Sequence, residues 1–462
     1  MKKWVKLLCA AIGIILTGSV FAEDSLQYFQ NKAAAQQFPE AVAALKNKNY
    51  DKALEIYKRL AESGRVSAQY QLGYLYLNGL GVDKNPQTAA AWFMKAGTEG
   101  LSQAQFALAT LYYYGVGLEQ GLTQAVTLYT QAANNNNPLA QYMLGYLAEN
   151  GFGISKNMDA AVNWYTKAAS QGVAEAEYNL GLLYYKGLGV PKDSGKAFTW
   201  FNLAAQQGLA KAQFMLGVIF STERLDKNQA FSWYSRAAEK GLAEAEYNLG
   251  VMYFNGFGTT ANTNTAVSWF KKAADKEFPQ AQYVTGYLMY NGVGYPKDIP
   301  QAIDWYRKAA AQNSADAEFA LGFLYHNGLG IVKDERQAFA WLLLAAKQGL
   351  ANAQYMVGLF YQQGMGIPSD PKAAISWYTL AAEQGMDNAQ LLLGIMYGQG
   401  QGVPRDYRAS YAWLNLASTS SNEKIRESAL KMRDEIAKNM TTADIGTAKQ
   451  MSQTYYSKYG NK

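Results

Sequence analysis

The sequence predicts an all-α solenoid of about ten 36-residue helix-turn-helix repeats, and three observations carry that expectation. The string Ala68-Gln69-Tyr70-Gln71-Leu72-Gly73-Tyr74-Leu75-Tyr76 returns as Ala176-Glu177-Tyr178-Asn179-Leu180-Gly181-Leu182-Leu183-Tyr184, and again as Ala245-Glu246-Tyr247-Asn248-Leu249-Gly250-Val251-Met252-Tyr253. A glycine register runs Gly73, Ala109, Gly145, Gly181, Gly217, Gly250, Gly286, Gly322, Gly358, Gly394, every interval being 36 residues except the 33 between Gly217 and Gly250. Nine of the ten tryptophans, from Trp92 to Trp413, share one place in this period, where the second copy has Leu128. Self-similarity at a fixed period of this length marks a stacked repeat array.

The first element is a processing signal. Lys2, Lys3 and Lys6 precede an apolar run from Leu7 to Val20, and Val20-Phe21-Ala22 supplies small residues at −3 and −1. A run this short fits a cleaved secretory signal better than the ~20 residues of a membrane span. With those three lysines removed, the net charge of +6 falls to +3 over the remaining 440 residues, too balanced for a dedicated nucleic-acid binder. Cys9 lies in the signal, so the mature chain has no disulfide, and a lone His326 excludes His/Cys metal clusters. With 49% hydrophobic and 17% charged residues the chain can bury a core. The domains follow as a signal peptide over 1–22, N-terminal capping helices over 23–65, ten repeats over 66–417 and C-terminal capping helices over 418–462.

Each repeat reads as two helices. The first carries apolar residues at helical spacing, such as Ala68, Leu72, Leu75 and Tyr76, and stops at a turn like Asn78-Gly79-Leu80-Gly81-Val82. The second carries Ala90, Trp92-Phe93 and Ala96 and closes near Gly100. Gly73 lets the partner helix come close, which would offset its propensity cost of roughly 1 kcal/mol. The tryptophans are expected as core between helices. In the 33-residue unit the Gly-x-Gly turn is missing and Ser221-Thr222-Glu223-Arg224 runs into the next helix. Asn134-Asn135-Asn136-Asn137-Pro138 replaces the inter-repeat glycine turn and is expected as a solvated loop. At the N-terminal end, residues 38–64 form a helix pair with a degenerate first member. At the other end a charged helix spans Glu423 to Lys438, and Thr441-Thr442-Ala443-Asp444 has capping-box spacing and opens a last helix.

The unit Ala-x-Ala-Gln-Tyr-x-Leu-Gly-x-Leu-Tyr, a Gly-x-Gly-Val turn, then Ala-x-x-Trp-Tyr-x-x-Ala-Ala-x-x-Gly resembles the Sel-1-like repeat, a relative of the tetratricopeptide repeat, over about residues 66–417. The resemblance implies a right-handed superhelix of antiparallel helix pairs that scaffolds protein–protein contacts. Exported bacterial members are often envelope or host-interaction factors. Some secreted members carry a beta-lactamase label and usually have cysteines in each repeat, which this chain lacks.

The Gly-x-Gly turns lack the strand–turn–helix context of a phosphate cradle. Ser268-Trp269-Phe270-Lys271 matches the Ser-x-x-Lys of penicillin-recognising enzymes, but the companion Ser-Asp-Asn and Lys-Thr-Gly motifs are absent. His326 would need a nucleophile or carboxylate partner to act as a general base, and nothing in the repeat register supplies one. The expectation is therefore a non-enzyme without cofactor or metal: a monomeric, periplasmic or secreted scaffold whose concave groove binds a protein or peptide. It would bind no nucleic acid and keep no transmembrane segment in the mature chain. The alternatives are a beta-lactamase-like or peptidoglycan-acting hydrolase, and a structural bridge of the cell envelope.

The binding surface follows from helical phase. At ~100° per residue, positions one before and three after the central glycine share a side and are nearly constant, as in Leu72, Leu144, Leu180 and Tyr76, Tyr184, Tyr253. Positions one and four after it lie opposite and vary. First helices line the inner groove in this class of solenoid, so the candidate partner-binding residues are Tyr74, Tyr113, Tyr146, Tyr185, Phe254, Tyr287, Tyr290, Phe323 and His326. The export signal gives the first test. Intact-mass measurement of the periplasmic protein should find a chain beginning at Glu23; a membrane-bound species retaining Met1 would contradict it.

Overall fold

The computed structural model describes residues 38–459, so the segment expected to be a signal peptide, with Cys9, lies outside the described residues. The chain divides into two units, Met1–Leu216 and Gly217–Lys462, each an all-α stack of helix pairs. The first opens with a capping pair, α1 (Pro39–Lys46) and α2 (Tyr50–Glu62). Pairs then follow as α3 (Val66–Asn78) with α4 (Pro86–Thr98), α5 (Ser102–Tyr114) with α6 (Leu122–Asn134), α7 (Pro138–Asn150) with α8 (Met158–Ala169), and α9 (Ala174–Lys186) with α10 (Ser194–Gln206). The division between units falls inside α11 (Ala210–Thr222). The second unit continues with α12 (Lys227–Glu239), then α13 (Ala243–Asn255) with α14 (Thr263–Asp275), α15 (Pro279–Asn291) with α16 (Ile299–Ala310), and α17 (Ala315–Asn327) with α18 (Glu335–Lys347). It ends with α19 (Ala351–Gln363) and α20 (Pro371–Glu383), α21 (Asp387–Gln399) and α22 (Tyr407–Ala417), then α23 (Glu423–Ala437) and α24 (Thr442–Tyr459). The first helix of each pair is called A and the second B.

Local chemistry sets the boundaries. The A helix α9 stops at Gly187, and the turn needs both Gly187 and Gly189 at φ near +70°. Gly189 also lies against the first residue of the preceding B helix, where a Cβ would sit 2.9 Å from Met158 backbone. B helices other than α6, whose cap is Gly121, start at an Asp or Asn cap such as Asp193, whose carboxylate accepts the N–H of Lys196 while its own N–H donates to the Tyr184 carbonyl at 2.9 Å. The same pair of hydrogen bonds recurs at Asn157, Asp298 and Asp370. Such caps are each worth about 1 kcal/mol.

The central glycine explains the packing. Its missing side chain leaves room for the residue that follows the tryptophan on the partner B helix: a Cβ on Gly181 would meet the Phe201 ring at 2.7 Å, and one on Gly145 the Tyr165 ring at 2.6 Å. Phe93, Tyr165, Phe201 and Tyr378 are almost fully buried as a result. A second ring, three residues before the glycine, closes over the first, as in Tyr178–Phe201 at 5.8 Å and Tyr355–Tyr378 at 5.9 Å. The tryptophans expected in the core are instead mostly half-buried. Only Trp305 and Trp413 are buried, the latter because Tyr455 of α24 stacks on it at 4.4 Å. Several of their faces are covered by the cation one turn on, with Lys95 over Trp92 at 4.2 Å, Lys167 over Trp164 at 4.3 Å and Lys272 over Trp269 at 3.8 Å.

Stacking between repeats uses a polar clamp. Four residues before the glycine each A helix has a glutamine or glutamate, mostly buried although polar: Gln105, Gln141, Glu177, Glu246, Gln282, Glu318, Gln354. Gln141 donates to the Ala133 carbonyl at the end of the previous repeat's B helix and accepts from Gln171 at the end of its own. Gln282 repeats this with Ala274 and Gln312, and Gln354 with Ala346 and Gln384. The asparagine run expected to be a solvated loop belongs to this system. Asn135 donates to Gln105, Asn136 takes the left-handed conformation at φ 61°, and buried Asn137 caps α7 through the Ala140 N–H. At the C-terminal end the capping box forms, with Thr441 and Asp444 bonded reciprocally, and Arg408 anchors Asp444 at 2.7 Å.

Two predictions follow from this packing. Phe201→Ala should cost about 3–5 kcal/mol, as for a buried ring, whereas Trp164→Ala should cost only about 1–2 kcal/mol of partial burial and cation–π contact. Equal losses of thermal stability would refute the assignment. Burial pushes the Glu177 and Glu318 carboxyls above the usual glutamate range, against the lowering effect of bonds from Gln207 and Gln348. A raised native pKa means the folded state holds a proton that the unfolded state releases. These sites therefore favour folding most at and below the ordinary glutamate range, and less as pH rises through the native pKa. Glu318→Gln should raise the melting temperature at pH 7, with the gain shrinking towards pH 4; an equal gain at both would count against it.

Candidate functional site

The site is built on the A helices, whose two sides differ as helical phase requires. The position before the glycine is buried throughout, with Leu72, Leu180, Leu249, Leu321 and Leu393 at no more than 2% exposure. The position after it is open: Tyr74 and Tyr146 are half-buried, Tyr287 is 50% exposed and Phe323 41%. Tyr283 and Tyr287 lie with ring centroids 6.4 Å apart, so the position three before the glycine joins the same stripe.

The position four after the glycine has a second duty. In two repeats whose buried B-helix ring is a tyrosine, this side chain accepts its hydroxyl: Tyr165 donates to Glu149 and Tyr378 to Gln362, both at 2.7 Å. Where that ring is phenylalanine the residue is aromatic or aliphatic, as with Tyr185 against Phe201 at 6.4 Å. Variation here therefore has a cause inside the repeat, in addition to any contact with a partner. Tyr113 is only 5% exposed and packs edge-on against Tyr114 at 4.7 Å. Phe254 is 40% exposed, and Tyr290 is half-buried beneath Lys297 at 5.6 Å.

His326 does have a carboxylate partner, contrary to expectation. Its Nδ1 lies 2.7 Å from Glu335, which also pairs with Lys333 at 2.9 Å. The partner comes from the first turn of the B helix, a position whose side chain the repeat register leaves unspecified. Burial works against the Glu335 carboxylate, but the hydrogen bonds and charges of His326 and Lys333 outweigh it and hold its pKa below the usual range. Ring contact with Phe360 at 5.3 Å completes the surroundings of His326. Ser268 is exposed, and the Lys271 ammonium bonds Asp275 at 2.6 Å. Where Leu128 replaces tryptophan, a groove of about 480 Å³ opens, bordered by Met94, Gln105, Tyr112 and Gln131. Among the described residues no group of three His, Cys, Asp or Glu could hold a metal, and no helix is long and apolar enough to cross a membrane.

Stacked helix pairs with a glycine–ring seam and an open aromatic stripe define a scaffold solenoid of the tetratricopeptide-like class. The chain belongs to the Sel1 repeat family, whose model matches residues 45–64, 66–101, 102–137, 138–173, 174–209, 210–242, 243–278, 279–314, 315–350, 351–386 and 387–422. The short first match falls on the N-terminal pair whose first helix is degenerate. Among solved structures the chain is similar to c5321, a protective antigen of uropathogenic Escherichia coli strains with an SLR fold. The two share 31% identity over 94% of this chain and 95% of that one, with a TM-score of 0.76. A Sel1 repeat protein from Oxalobacter formigenes is similar at 28% identity, 66% of this chain and 90% of that one, with a TM-score of 0.53. A search of curated proteins gives no match.

Proposed function

We propose that this chain is an exported, non-enzymatic scaffold that binds a protein or peptide along its A helices, in envelope function or host interaction. One observation supports this above others: the position one after the glycine varies and is partly exposed, and it lies beside a nearly constant Tyr or Phe three before the glycine, while the position just before the glycine is buried and mostly leucine. Partner-recognition surfaces concentrate their energy in such aromatic side chains. Export is supported by the basic start, apolar run and Val20-Phe21-Ala22 of the sequence. A similar structure belongs to a protective antigen, a protein described as present in pathogenic strains.

The test is a variant carrying Tyr74→Ala, Tyr146→Ala, Tyr287→Ala and Phe323→Ala, compared with the parent in cross-linking pull-downs from envelope extract and host fluid. The expected outcome is an unchanged helical circular dichroism spectrum with loss of the cross-linked partner. Retention of that partner by the folded variant would overturn the assignment to this face.

A further inference from the structure

We propose that the A-helix face of the second unit, centred on Tyr247, Tyr283, Tyr287 and Asp316, takes the cationic side chains of a basic peptide segment. This rests on the A-helix reading above and names the chemistry of the partner.

The charges of the second unit are segregated between its two kinds of helix. Its five repeat A helices, α13, α15, α17, α19 and α21, contain no lysine or arginine. Its B helices carry Lys227, Arg236, Lys271, Lys272, Arg307, Lys308, Arg336, Lys347, Lys372 and Arg408. Tryptophans of α12, α14 and α16 therefore come with a cation from their own helix, as Trp233 does with Arg236 at 4.5 Å and Trp305 with Lys308 at 4.0 Å. Rings on the A helices have no such neighbour on their own helix.

The same faces carry exposed acids instead. Glu244 and Asp316 occupy one repeat position, six before the glycine, in helices two repeats apart, and both are exposed. Tyr247 and Tyr283, on successive A helices, pack against one core cluster, and Asp316 lies on the next A helix. After burial, the Asp316 carboxylate is what pushes the hydroxyls of both tyrosines upward, so its charge is felt at both rings. Tyr287 stands beside Tyr283 at 6.4 Å with half its surface open. Neutral rings flanked by a carboxylate attract an ammonium or guanidinium through the ring quadrupole and the Coulomb term together. The molecule shows this chemistry at the edge of the patch, where Lys297 from the following turn lies over Tyr290 at 5.6 Å. An acidic segment would meet Glu244 and Asp316 with no cation on these helices to receive it.

The test uses the full chain and three fluorescein-labelled nonapeptides that alternate leucine with arginine, glutamine or glutamate, read by fluorescence anisotropy. The arginine peptide should bind about tenfold more tightly than the glutamine one, with the gap narrowing as salt is added. Asp316→Asn and Tyr287→Ala should each weaken the arginine peptide about fivefold, while Asp316→Asn leaves the glutamine peptide unchanged. Glu383→Gln, an exposed acid of α20, should change nothing. The proposal falls if the glutamate peptide binds as well as the arginine one, if neither variant weakens it, or if no peptide binds. Binding of the glutamine or glutamate peptide that Tyr287→Ala abolishes would retain the A-helix site and reject its cationic ligand.

Discussion

Everything in this molecule hangs on the space of one methyl group. With no Cβ at the central glycine, the ring from the partner helix rests against A-helix backbone, and the spacing within the pair is set by that contact. The clamp glutamines can reach the preceding repeat only when that spacing holds, because Gln141 and its counterparts must place one amide between two helix ends. Ala109 marks the tolerance of the slot: it is fully buried in the cluster that also holds Tyr129, whose hydroxyl bonds Thr110 at 3.1 Å. A larger side chain there would have to push the ring aside, and close-packed interiors have little room for that.

Much of this was legible in the sequence, and what was not has identifiable causes. The period, the helix pairs, the glycine's role as a close contact and the capping box at Thr441 are all local or periodic, and repetition made them visible. Which member of the Trp-Phe or Trp-Tyr pair goes inward was not visible, since both recur together and differ by only one residue of helical phase. The side chain at Trp+3, often Lys or Arg, was the available signal, because a residue covered by its own cation stands near water. The amide clamp is hard to see in sequence because its partners lie 30 residues apart, although a polar residue repeated inside an apolar helix is a sign of a satisfied buried group. The partner of His326 is invisible to the repeat register because Glu335 occupies a position that other copies fill differently.

The two faces of each unit are consequently unlike in chemistry. B-helix surfaces offer tryptophan already stacked with lysine or arginine, which presents charge to solvent and leaves little ring face free. A-helix surfaces offer rings, amides and a few carboxylates, with polar residues such as Glu149 and Gln362 committed to bonds inside the repeat. Recognition can therefore vary at the open stripe without disturbing the seam, because the residue before the glycine and the one after it answer to different neighbours.

The amide clamp also dictates how such an array can change length over evolutionary time. Clamp glutamines such as Gln141, Gln282 and Gln354 reach back 8 positions and are reached from 30 positions ahead, so a single inserted or deleted residue within a helix would break both bonds and rotate the seam by a fraction of a turn. Duplication or loss of a whole repeat conserves every one of these separations. Growth is thus quantised, and its natural route is unequal recombination between near-identical repeats rather than gradual insertion. The 33-residue unit marks the exception that the geometry permits: its three missing residues come from the A-to-B connection, where the Asp226 N–H still finds the Phe220 carbonyl at 2.8 Å.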